Sequence, residues 1–256
     1  MATYKKRSKS KVDKPGDGNN VSSTKQVFES LDKGASKTEI FLKKNQIYFY
    51  WLVSIIALIV VVFFIYNKYI FQPKVEESND ENLNSIKYYS LADLESDTPK
   101  STTIDRDSLL NLSLYGSDGK FGLIDIVDNY EGTPASNIAK YQAGMSFYKL
   151  KDYKSAIEYL EDFDSDDDIL LSLALTTIGD SFIQINQPDD AIDNYKKALS
   201  ITSNSYIRPL ILNKSGIVSV SLGNKNEARK YFMEIKDKYP NSQQAINIDI
   251  KLSELN

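Results

Sequence analysis

The chain has 256 residues and neither Cys nor His. Disulfides and thiol chemistry are therefore excluded. The commonest general base and the commonest metal ligand are also missing, which argues against zinc, haem and triad catalysis. The formal net charge of -4 hides an asymmetry. Residues 1–46 hold 11 Lys/Arg against 5 Asp/Glu, whereas residues 67–256 hold 20 against 30. A basic head, an uncharged bar and an acidic body are the pattern of an oriented membrane protein.

Residues 1–36 are read as a basic, largely disordered tail: Lys5 to Lys11 (KKRSKSK) is followed by Gly, Ser, Asn and Pro with almost no apolar content. Two capping-box patterns follow, one opening at Ser23 and one at Ser36. The second is expected to run into a signal-anchor helix over residues 37–72. Its span, Ile47 to Tyr66 (IYFYWLVSIIALIVVVFFIY), is uncharged. A helix of that length reaches about 30 Å, the thickness of the hydrocarbon layer. Tyr48, Tyr50 and Trp51 at one end, and Tyr66 and Tyr69 at the other, suit the headgroup layers. Pro73 is expected to end the helix. Lys33, Lys37, Lys43 and Lys44 precede the span closely and only Lys68 and Lys74 follow it. The positive-inside rule then puts the N-terminus in the cytoplasm and the body outside, which in a Gram-negative cell is the periplasm.

The rest is expected to be all α-helical. Residues 73–134 are read as a linker with degenerate repeat material. Leu83, Ile86, Ser90, Leu91 and Leu94 lie at helical spacing and start the array, Glu95 to Thr103 is a loop, and Phe121 to Tyr130 resembles a second repeat helix. Residues 135–241 hold three aligned segments. Gly144, Gly179 and Gly216 correspond, and each is followed twelve residues later by Ala156, Ala191 and Ala228. Four residues beyond each Ala come Leu160, Tyr195 and Phe232, and the period is 35 and then 37 residues. Residues 242–256, with Ala245, Ile248, Leu252 and Leu255 in a stripe, are expected to cap the stack. Asp118-Gly119 and Glu131-Gly132 read as turns. Six acids in Glu161 to Asp168 alternate in part like a calcium loop, but the turn glycine and the closing glutamate are missing. An acidic turn that caps the next helix is the expectation.

These segments resemble the tetratricopeptide repeat (TPR), a helix–turn–helix unit whose pattern has a small residue at position 8, a large one at 11, Ala at 20 and an aromatic at 24. Phe147 and Phe182 fit position 11 and Ser219 departs from it; Pro at position 32 occurs only as Pro240. Small residues at 8 and 20 let the paired helices approach, and the large residues at 11 and 24 are expected to fill the space between units. The resemblance implies a binding surface on the concave face, from positions 2, 5, 9, 12 and 13. In this chain it includes Tyr141, Met145, Tyr148 and Lys149, then Asp180, Ile183 and Gln184, then Asn213 and Ile217. The Lys/Arg clamp that TPRs use for a terminal carboxylate is missing, so an apolar extended or helical segment is the expected ligand. No cofactor, no metal, no catalytic residue and no nucleic-acid partner is expected.

The whole architecture, from Lys37 to Leu255, resembles the ancillary Sec-translocon subunit family. That resemblance implies a non-enzymatic scaffold or chaperone-like role beside the channel. TPR adaptors of cell-envelope assembly or division are the alternative, and Tyr239-Pro240-Asn241-Ser242 fits them equally well.

Overall fold

The computed structural model describes residues 43–94 and 105–255. The tail, both capping boxes and the 95–103 loop lie outside them. Two units divide the chain, 1–65 and 66–256. In the first, α1 (Gln46–Tyr66) has 21 residues, and no side chain on it is buried. Its best 18-residue window has a mean hydropathy of 2.7, so this helix is long and apolar enough to cross a membrane.

The second unit is helical, with no strand among the described residues. It opens with a π-helical turn, Asn67–Phe71, followed by α2 (Gln72–Leu94). Pro73 therefore does not stop the helix as its residue type suggests. It sits in the first turn of α2, where a missing N–H costs nothing, and Gln72 N–H bonds the Asn67 carbonyl just before it. The wider turn absorbs the proline.

Helix α2 pairs with α3 (Arg106–Tyr115), and α4 (Leu123–Asn129) is a short helix leading into the repeats. Three helical hairpins follow: α5 (Pro134–Lys149) with α6 (Tyr153–Glu161), α7 (Asp168–Gln184) with α8 (Pro188–Ile201), and α9 (Ile207–Ser221) with α10 (Lys225–Lys238). Each hairpin packs within itself and on the next, and α5, α7 and α9 also touch in succession. A 3-10 turn (Gln243–Ala245) and α11 (Ile248–Ser253) close the end. Ile248, Leu252 and Leu255 are buried there with Leu212, Phe232 and Ile235, as the capping stripe predicts.

Local chemistry sets these boundaries. Asp105, Thr133, Asp152 and Asp167 cap the helices that follow them through their side chains. Asp167 accepts from Ile169 N at 2.8 Å and Leu170 N at 3.1 Å, so the acidic run does cap a helix. Within each hairpin the turn repeats the same conformation. Lys151, Asn186 and Gly223 stand at φ 65°, 61° and 76°. The next N–H returns to a carbonyl five residues back: Asp152 to Phe147 at 2.9 Å, Gln187 to Phe182 at 2.8 Å and Asn224 to Ser219 at 2.8 Å. This is the left-handed helix ending usually given to glycine.

The repeat glycines are sites of contact. A Cβ on Gly144, Gly179 or Gly216 would lie 2.5, 2.4 or 2.3 Å from Leu160, Tyr195 or Phe232 respectively. The large residue at position 24 thus covers the glycine of its own hairpin. The expectation that it mainly fills the space between units is corrected to that extent. Tyr195 reaches outward as well, sharing a cluster with Ile211 and Val218 of the next hairpin.

The apolar stripe of α2 lies on its outer side. Ser78, Asn82, Ser85 and Ala92 are its buried residues, whereas Leu83, Ile86, Leu91 and Leu94 are exposed. Small polar side chains hold the inner side: Ser85 Oγ donates to the Phe121 carbonyl at 2.8 Å and Ser113 Oγ to the Ser85 carbonyl at 3.0 Å. Close approach to α3 and α4 selects small residues, and this leaves the leucines outside.

Candidate functional site

The nine candidate binding residues sit on α5, α7 and α9, the first helix of each hairpin. Their surroundings divide them into two groups. Lys149, Asp180 and Asn213 are engaged by the chain itself. Lys149 pairs with Asp93 of α2 at 2.7 Å and lies 5.1 Å from the Tyr89 ring centroid. Asp180 accepts from Lys214 at 2.8 and 2.9 Å and from Tyr195 Oη at 2.6 Å. Asn213 Oδ1 accepts from Lys251 of the capping helix. These contacts tie α5 to α2, α9 to α7 and the cap α11 to α9.

The aromatic and aliphatic members are partly open. The half-buried Tyr141 ring sits 5.2 Å from Phe163, and Met145 packs beside it on the cluster of Ile157, Leu160 and Ile178. Tyr148, also half-buried, meets Tyr153 edge-on at 5.8 Å. Ile183 is partly buried against the Ala191 and Tyr195 cluster. Gln184 and Ile217 are exposed, and Ile138, Val220 and Ser221 on the same helices are exposed too. Thr176, by contrast, is buried and bonds its own helix at the Ser172 carbonyl.

The electrostatics follow from this layout. Burial, then the charge of Asp180, raises the Tyr148 phenol above its ordinary range. The same order of causes raises Tyr195, through burial and then Asp180. For Tyr141 the causes are burial and Asp93, and for Tyr89 burial and then Tyr141. All four phenols are neutral near pH 7 and serve as hydrogen-bonding aromatic surface. No group of three or more His, Cys, Asp or Glu side chains among the described residues is arranged to hold a metal.

Sequence reasoning missed Tyr89, Asp93, Lys214 and Lys251, the partners that occupy the polar members. One signal was available: Asp180 and Lys214 are 34 residues apart, close to one repeat period. Asp93 comes from a helix without a repeat signature, so no spacing announces it.

Family models for the tetratricopeptide repeat match residues 139–166 and 214–242, and a second such model matches 173–205. These are the three hairpins. A search of curated proteins found no match. The described body is all-α, its three hairpins carry the TPR matches, and such repeats form protein–protein interaction modules.

Proposed function

We propose that the protein is a non-enzymatic, membrane-tethered binding module whose α5, α7 and α9 face receives an apolar stretch of another protein. The observation that carries this reading is the division of that face. Lys149, Asp180 and Asn213 are already engaged within the chain, which leaves Tyr141, Met145, Tyr148, Ile183, Gln184 and Ile217 for a ligand. A surface of rings, aliphatic chains and amides desolvates at low cost and gains from apolar contact. Helix α1, apolar and exposed along its length, supports the tether. The charge split supports a cytoplasmic N-terminus and a periplasmic body at the inner membrane. Tethering raises the local concentration of the module at that surface without any new contact.

The finer reading is a scaffold or chaperone-like role beside the Sec translocon. It rests on the resemblance of the architecture from Lys37 to Leu255. The test is photocrosslinking in cells from Tyr148 and Ile183, with identification of what is captured. Translocon subunits or emerging polypeptides are the expected products. Recovery of envelope-synthesis enzymes without translocon subunits would sink that reading. For the orientation, a reporter active only in the periplasm, fused after Asn256, is expected to be active; silence there, with an active cytoplasmic reporter, would reverse it.

A further inference from the structure

Helix α2 presents one line of residues away from the body. At 100° per residue, Glu76, Asp80, Leu83, Lys87, Leu91 and Leu94 stack along a single side. All six are exposed, with Leu83 at 65 % and Leu94 at 68 %, and Ile86 stands at the shoulder. The opposite side, Ser78, Asn82, Ser85 and Ala92, is buried. Hydrophobic burial normally orients a helix the other way round, with its apolar stripe inward. An outer helix of a repeat stack also normally shows a polar face to water. The outward leucines of α2 therefore mark a surface shaped for something else to cover.

The charges on the same helix say what covers it. The first two members of the line are the acids Glu76 and Asp80, with no base before Lys87, whereas Glu77 turns to Tyr130 of the body. Two other charged groups of α2 are used up: Lys74 donates to the Glu131 carbonyl at 3.0 Å and Asp93 pairs with Lys149. The face is thus acidic at its start and apolar from Leu83 to Leu94, with the aliphatic stem of Lys87 continuing the apolar strip. A second copy would bring the same acids and another body carrying 30 Asp/Glu against 20 Lys/Arg. An anionic lipid surface is repelled for the same reason. The segment that follows, residues 95–104 (ESDTPKSTTI), offers Ile104 as its single large apolar side chain.

We propose that this outward face of α2 docks an amphipathic helix of a partner protein, one with apolar side chains along one side and Lys or Arg at the end that meets Glu76 and Asp80. The surface is separate from the α5, α7 and α9 face, so either reading can fail alone.

The experiment uses the full-length protein in nanodiscs. The probe is a labelled synthetic helical peptide of about five turns, with leucines at alternating three- and four-residue spacing and a Lys cluster at one end. Binding is read by fluorescence anisotropy. The Lys-ended peptide is expected to bind about fivefold tighter than a Glu-ended version at low salt, the scale of a few exposed ion pairs. The double variant Leu83→Ser/Leu94→Ser, at two exposed sites, is expected to keep its helical circular dichroism and to lose about tenfold or more in affinity. Glu76→Lys/Asp80→Lys is expected to reverse the preference between the two peptides. Ile250→Ser, at an exposed apolar site outside both faces, is expected to leave binding unchanged. Equal binding by the Leu83→Ser/Leu94→Ser protein, loss of binding only in Ile250→Ser, or an unreversed charge preference would each overturn the proposal. So would sedimentation showing a wild-type dimer that the leucine variant dissolves, which would give the face to a second copy. Binding that appears only after removal of residues 95–104 would give it to the chain itself.

Discussion

Single positions in the repeats carry more than their size suggests. Gly179 is a helical residue with a buried aromatic ring against it: a Cβ would fall 2.4 Å from Tyr195, whose hydroxyl is held by Asp180. Alanine gains about 1 kcal/mol of helix propensity over glycine. Displacing a ring that is 2 % exposed costs more, so Gly179→Ala is expected to destabilise by about 1–3 kcal/mol, read from urea unfolding. The opposite sign is expected at Ser219. This residue stands where the other hairpins have Phe, is fully buried, and its hydroxyl has no hydrogen-bond partner. Ser219→Ala removes that unsatisfied group and improves helix propensity, for a gain of about 1 kcal/mol in the same measurement. A loss there would mean that the hydroxyl is satisfied in solution.

Among elements, a polar contact joins the first helices of the second and third hairpins. Asp180 on α7 and Lys214 on α9 form it, with side chains 17 % and 30 % exposed. Their partial burial places the pair between the near-zero value of surface pairs and the high stakes of buried ones. A double-mutant cycle with Asp180→Asn and Lys214→Met is expected to give a coupling of about 1 kcal/mol that falls with added salt. Zero coupling at low salt would make the contact incidental. Turns between paired helices show a graded solution to one conformational need. Gly223 meets it without cost, Asn186 at small cost, and Lys151 at φ 65° against its own Cβ. Lys151→Gly is accordingly expected to raise the melting temperature slightly, with a gain of about 1 kcal/mol at most.

Taken whole, the molecule is a stack whose phenols answer to pH. Tyr89, Tyr195 and Tyr231 are all raised above their ordinary value of 10.0, burial being the largest cause for each. A group with a raised folded pKa contributes stability that is complete below its unfolded value and is lost as pH rises toward the folded one. The fold is therefore expected to be steady in this respect up to about pH 10 and to weaken progressively above it. Denaturation midpoints measured from pH 8 to 11 check this, and a flat profile contradicts it. Much of the architecture was legible in the sequence. The Gly144, Gly179 and Gly216 series and its alanines recur because the helix pairs need close approach, and a steric need leaves a periodic trace. The apolar bar of α1 was legible because length and composition suffice. What was not legible depends on partners distant in sequence. Pro73 was read as a stop because residue type alone cannot reveal a π turn. The direction of the α2 stripe was not legible, because periodicity identifies a face but not which way it points. Of the candidate residues, Lys149 and Asn213 turned out engaged by α2 and α11, which no local pattern foretells.

The chain of fastenings Asp93–Lys149, Asp180–Lys214 and Asn213–Lys251 also has a mechanical meaning. They link α2 to α5, α7 to α9 and α9 to α11, so each clasps helices that are not consecutive in the chain, and a pull that parts those helices strains it directly. Two are joined by opposite charges and the last by a charge and a neutral amide, which is the weaker bond. Added salt accordingly weakens the first two clasps more than the third.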